Sequence, residues 1–153
     1  MQTFLPYADF AKSAAALDRQ RLGKQRVENL QIMKTLLTGQ GWVNHPATRQ
    51  WQGYELALLD YQLAICDEWS VVRGYKDTCA DKTIELVQQH LPRNDVMTFF
   101  MYGFYDKPTW LGHRPYHKSH QSNLLRKDQE FYGPQFPGVP ADLNYVWPAR
   151  KVS

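Results

Sequence analysis

A chain of 153 residues with a formal charge of only +3 fits one compact domain with a sizeable core, and it is no polycation, so any attraction to nucleic acid must come from local patches. Its two cysteines, Cys66 and Cys79, form no CxxC pair, which argues against a zinc or disulfide framework and fits a reducing cytoplasm. No apolar run reaches membrane-spanning length, and the opening "MQTFLPYADF" lacks the charged and then apolar pattern of a signal peptide. A cytoplasmic protein with no membrane contact is expected.

In chain order, Asp9 is placed to cap a short helix through "FAKSAAAL". A second helix is predicted from Asp18 to about Leu37, with Leu22, Leu30, Met33 and Leu37 at helical spacing and Gly39 and Gly41 ending it. The strongest helical pattern runs from Asn44 or His45 to Gly74. Pro46 suits its first turn, and Trp51, Tyr54, Leu58, Tyr61, Ile65 and Trp69 follow at intervals of three and four, a stripe that reads as core. Another helix is expected over "TCADKTIELVQQH". The aromatic-rich "VMTFFMYGFYDKPTWLGHRP" comes next, followed by a polar helix, "YHKSHQSNLLRKDQEFY". Pro134, Pro137, Pro140 and Pro148 forbid a regular helix near the end, yet Phe136, Leu143, Tyr145, Val146 and Trp147 are too apolar for a disordered tail. The expected architecture is therefore all-α: a single domain over 1–153 with one long central helix and an extended strap over 132–153.

Aromatic residues make up 14% of the chain. Each ring is more often core than ligand contact, but rings at loops or element ends can stack on bases or wedge between them. Tyr7, Trp42, Trp110 and Tyr116 are of that kind.

The stretch "DRQRLGKQRVENLQ" places Arg19, Arg21, Lys24 and Arg26 between Asp18 and Glu28. On a helix Arg19 and Arg26 share a face and Lys24 and Glu28 are i, i+4 neighbours. Leu22, Val27 and Leu30 would turn to the core, with Gly23 allowing close backbone approach. This is either a solvated face with a weak ion pair or a phosphate-binding surface. A second cluster, "HRPYHKSHQSNLLRKD", combines His113, Arg114, His117, Lys118, His120, Arg126 and Lys127 with hydroxyl and amide side chains, a kit for phosphates and sugars. His117 and His120 are i, i+3, but no carboxylate stands at ligand spacing, so no metal site is expected. His45, with Arg49 nearby, sits at a helix N-terminus, where it can cap the helix or meet an anion.

Taken together, "MQTFLPYADF", "LDRQRLGKQRVENLQIM", "NHPATRQW", "CDEW", "RGYKDT" and "SHQSNLLRKD", in that order, resemble the pyrimidine dimer DNA glycosylase (phage endonuclease V-like) family, and its bacterial and phage branch most of all. The resemblance implies a mostly helical domain that binds duplex DNA, flips a nucleotide and attacks the sugar. In the family the nucleophile is the α-amino group of the mature chain, assisted by a glutamate on the following helix. An unprotonated amine displaces the base at C1′ and leaves an imine. An α-amine suits this because such groups titrate near 8 rather than above 10, and neighbouring cations favour its neutral form. Two departures stand out. Gln2 replaces the family's small second residue, so the α-amine would be that of Met1. Aligned without gaps from Asp18, the family's glutamate falls on Arg21, leaving Glu28 or Asp18 to supply the acid; Glu28 is favoured because Lys24 stands one turn away. Lys24 is itself a second candidate amine.

The catalytic candidates are thus Met1, Lys24, Glu28 and Asp18. Arg19, Arg21, Arg26, His45, Arg49, His117, His120, Arg126 and Lys127 are the candidate DNA contacts. The expected activity is excision of a damaged or modified pyrimidine from double-stranded DNA with abasic-site lyase action, needing no cofactor and no obligate protein partner. Two rivals stand beside it: a non-catalytic nucleic-acid binder on the same scaffold, and an enzyme acting on a modified nucleotide.

Overall fold

A computed structural model describes residues 1–148, and its helices start where side chains can cap them. Asp9 accepts from the Lys12 N–H and opens α1 (Phe10–Ala16). Asp18 accepts from the Arg21 N–H and opens α2 (Arg19–Thr38), which closes on Gly39 at φ 73°, a left-handed conformation that glycine adopts without strain. Both helices begin and end within a residue or two of where capping and periodicity put them.

The expected continuous helix from Asn44 to Gly74 is instead three pieces: α3 (Pro46–Arg49), α4 (Glu55–Asp67) and a π-helical turn over Glu68–Val72. Gly53, at φ 84°, takes a backbone conformation no α-helix contains. The turn it makes seats Trp51 in the core, its indole N–H donating to the Thr3 hydroxyl at 3.0 Å. The apolar stripe read from the sequence is real, and Trp51, Leu58, Tyr61 and Ile65 are buried, but two elements share it. Next come α5 (Cys79–His90), α6 (Arg93–Tyr102), α7 (Arg114–Lys127) and α8 (Gln129–Tyr132). Helix α6 falls in the aromatic stretch that carried no assignment. No strand occurs among the described residues.

Helix α2 packs against α4 and α5, and α4 against α1 and α5. Rings fill the centre: Trp51 stacks on Tyr61 with centroids 5.9 Å apart and meets Trp110 edge-on at 5.0 Å. On α2 the inward face differs from the expected one. Leu22 is fully buried, but Val27 is exposed. Gly23 does permit a close approach, though to a protein ring: a Cβ there would lie 2.9 Å from Trp69.

Helix α7 reads as polar and is nevertheless buried over Tyr116, His117, Ser119, His120, Ser122 and Asn123. Beyond α8 the chain turns and runs without helix. The Leu143 and Val146 N–H groups donate to Ser122 and Ser119 of α7 at 3.0 and 3.1 Å. Arg126 donates to the Ala141 and Leu143 carbonyls, each at 2.9 Å. Residues 149–153 of the expected strap lie outside the described residues.

Candidate active site

The first seven residues form no regular element, so their backbone groups need side-chain partners. Four helices supply them, α1 through Ser13, whose hydroxyl accepts from the Tyr7 N–H and donates to the Tyr7 carbonyl at 3.0 and 2.9 Å. From α2, Gln25 accepts from the Phe4 N–H at 3.0 Å and donates to the Gln2 carbonyl at 2.7 Å. The Phe4 carbonyl takes the Tyr61 hydroxyl of α4 at 2.5 Å. From α7, His120 Nδ1 accepts from the Leu5 N–H at 2.9 Å, His117 Nδ1 faces the Leu5 carbonyl at 2.8 Å, and Gln121 donates to the Pro6 carbonyl at 2.7 Å. The amino terminus is thereby threaded through the protein and held along α2.

That threading corrects two expected DNA contacts. His117 and His120 are 7% and 0% exposed and hold the terminal segment rather than facing solvent. Gly112 donates its N–H to His117 Nε2 at 2.9 Å, so the proton sits on Nδ1 and is given to Leu5. His120 accepts at Nδ1, and burial drives its pKa down to about 3, because a charged imidazole there would lose its hydration. Both rings are neutral.

Arg26 is a third correction. It turns inward, 2.6 Å from the Asp77 carboxylate and 4.5 Å from the Trp69 ring, so it is spent on joining α2 to the segment before α5. Asp18, expected as a possible catalytic acid, is taken up as a cap. It binds the Tyr132 hydroxyl and pairs with Arg21 at 3.1 Å. Burial raises its pKa, but the Tyr132 and Arg21 hydrogen bonds and the Arg21 charge outweigh burial and hold the net value below the usual range.

Three of the four catalytic candidates do converge. Met1, Lys24 and Glu28 line one cleft of about 330 Å³, with Arg21 and Lys127 contributing cations and Tyr145 a ring. The reason is periodicity: Arg21, Lys24 and Glu28 recur along one side of α2, and Gln25 between them pins the segment that carries Met1. The Gln2 N–H points at the Glu28 carboxylate, 3.4 Å away. The ion pairs among the described residues are Arg21–Asp18 and Arg26–Asp77, and the expected Lys24–Glu28 pair is not one of them.

His45 stands just before α3. Its Nδ1 accepts from the Ala47 N–H at 3.0 Å, making it the cap of that helix. Burial first, then the positive amino terminus, lowers its pKa, while Glu28 opposes them; the imidazole therefore feels both catalytic candidates. The Met1 thioether sulfur lies 3.9 Å from the Thr48 hydroxyl of α3. Arg19, Arg49, Arg126 and Lys127 are exposed. Arg19 lies over the Tyr75 ring, and Arg126 holds the carbonyls of the segment beyond α8.

Sequence reasoning missed Gln25, Gln2 and Tyr145. Gln25 carried a usable signal, an amide at the border between the charged side of the helix and its apolar stripe. For Tyr145 there was none, since it reaches the cleft through a contact between distant parts of the chain.

Among the described residues no three His, Cys, Asp or Glu side chains gather as a metal site, and no helix is long and apolar enough to cross a membrane. Comparison with curated proteins and with solved structures gives no match. Comparison with models of protein families matches residues 1–83 to the one described as pyrimidine dimer DNA glycosylase. The matched stretch contains Met1, Lys24, Glu28 and His45, more than half of the chain. This protein belongs to the pyrimidine dimer DNA glycosylase family.

Proposed function

We propose that the protein is a glycosylase and abasic-site lyase acting on damaged or modified pyrimidines in duplex DNA, with the Met1 α-amine as nucleophile and Glu28 as its acid. The observation that carries this reading is the Gln2 N–H directed at the Glu28 carboxylate, which sets the chain's first amine one residue from an acid at the wall of an open cleft. In the reaction the amine lone pair attacks C1′, and the bond from C1′ to the base nitrogen breaks, the base leaving with that electron pair and a proton. The amine loses a proton and the sugar ring opens, leaving an imine between Met1 and C1′. Removal of a C2′ proton then expels the 3′ phosphate and nicks the strand. Glu28 is positioned to receive and return protons in these steps, and Met1 is preferred to Lys24 because α-amines are the less basic class. Arg19, Arg21, Lys24, Arg49 and Lys127 are the proposed phosphate contacts, with His45 as a further candidate. Double-stranded DNA is the proposed partner, and the whole of 1–153 is proposed to act as one domain.

Borohydride trapping tests the reading. Incubated with UV-irradiated duplex or with a duplex carrying an abasic site and then reduced, the protein is expected to become covalently linked to DNA, with the added mass on the Met1 peptide. Mass on the Lys24 peptide would transfer the nucleophile's role to that residue. No adduct on any substrate, together with binding that weakens steeply with salt, would leave only a nucleic-acid binder.

A further inference from the structure

Of the four rings marked as loop or element-end aromatics, Trp110 and Tyr116 are core and Tyr7 packs on Phe136 with centroids 6.0 Å apart. Trp42 alone of these stands in water, 67% exposed. It sits at the tip of the turn joining α2 to α3, between Gly41 at φ 96° and Val43, itself exposed. The tip is held by two backbone hydrogen bonds, Val43 N–H to the Gly41 carbonyl at 2.9 Å and His45 N–H to the Trp42 carbonyl at 3.2 Å. The indole meets the His45 imidazole edge-on, centroids 6.5 Å apart.

A single exposed aromatic is ordinary; its neighbours are what give this one meaning. His45 caps α3, and Met1 touches Thr48 one helical turn further on. The ring therefore packs on the cap of the short helix whose Thr48 meets Met1, a residue of the cleft, and Arg49 of that helix is an exposed cation.

We propose that Trp42 is a wedge: its indole enters the duplex at the lesion and fills the space vacated when the nucleotide leaves the stack. The inference rests on the glycosylase reading. Extruding a nucleotide removes stacking on both of its neighbours. An apolar ring inserted between the remaining base pairs replaces that stacking and tolerates any base, since every base has a π-face. Trp42 is then needed for extrusion from a duplex and not for the chemistry at C1′. It is a positioning residue, and its loss matters only where there is a stack to open.

The test compares wild type, Trp42→Ala and Trp42→Phe on one oligonucleotide with a single thymine dimer, presented as duplex and as single strand, with borohydride adduct as readout. Trp42→Ala is expected to lose about tenfold or more on the duplex and less than about threefold on the single strand, with Trp42→Phe recovering part of the duplex loss. A 2-aminopurine placed beside the lesion in the duplex is expected to brighten on binding wild type and to stay dim with Trp42→Ala at saturating protein. Equal losses on both strand forms, or no loss on either, overturn the wedge while the glycosylase reading stands. No wild-type adduct on either form overturns that reading, and the wedge with it.

Discussion

Gln25 shows how one side chain decides the site. It accepts from the Phe4 N–H and donates to the Gln2 carbonyl and to Asn29, all in the protein interior. Gln25→Ala would strand the Phe4 donor and the Gln2 acceptor, each worth roughly 1–3 kcal/mol when buried without a partner. A stability loss of about 2–4 kcal/mol is expected in urea unfolding. Glu28→Gln separates structure from chemistry: the amide still accepts from the Gln2 N–H but cannot take a proton. Adduct formation on dimer DNA is expected to fall by about a hundredfold or more, with Kd for the same DNA within about threefold of wild type. A matching loss of binding would recast Glu28 as a contact residue.

At the scale of elements, α2 has two working faces. One carries Arg21, Lys24 and Glu28 to the cleft. The other lies against Trp69, the ring locked between Gly23, the Arg26 guanidinium 4.5 Å away and Tyr75 at 4.4 Å, with its N–H on the Lys76 carbonyl at 3.0 Å. A half-buried ring held on these sides resists displacement. Gly23→Val is expected to cost about 2 kcal/mol through overpacking, read as a lower Tm and a red-shifted tryptophan emission. An unchanged Tm would mean that the ring moves freely. Asp77 ties the same region to α5 by accepting from the Ala80 and Cys79 N–H groups and from Arg26. Burial raises its pKa, yet those three donors outweigh it and hold it below the usual range.

At the scale of the molecule, the acid limit of stability follows from the neutral histidines around the amino terminus. An unfolded imidazole titrates near 6.5, while burial holds His120 at about 3. Between those values the unfolded chain binds a proton that the folded chain refuses, so stability falls as pH drops from about 6.5 toward 3. The slope is up to ~1.4 kcal/mol per pH unit for that one group. His117 and His45, also lowered with burial as the leading cause, steepen the upper part of that window. Asp18 and Asp77, lowered from 3.8, contribute only at its acid end. Urea unfolding from pH 7 to 4.5 is expected to show this decline. His120→Asn, whose amide oxygen can still accept from Leu5, should be less stable at pH 7 yet show a slope shallower by one proton. An unchanged slope would place the responsible proton elsewhere.

Local rules made part of this legible. Asp9 and Asp18 as caps, Gly39 as the stop of α2, and the cationic side containing Glu28 all follow from interactions within a few residues, where spacing alone sets the geometry. The resemblance carried by "RLGKQRVE" and "NHP" lies within the stretch that identifies the family. The fate of polar side chains was not legible, because a histidine on a polar helix reads the same whether it meets a phosphate or a carbonyl. Only packing turned His117 and His120 inward to the terminal segment, drew Arg26 onto Asp77, broke the long helix at Gly53 and left Trp42 in water. The sequence by itself determined which helix bears the charges and the acid, since helical periodicity is a local property. The tertiary structure alone decided that Met1 lies beside that acid, since an irregular terminal segment takes its path from side chains tens of residues away that satisfy its backbone.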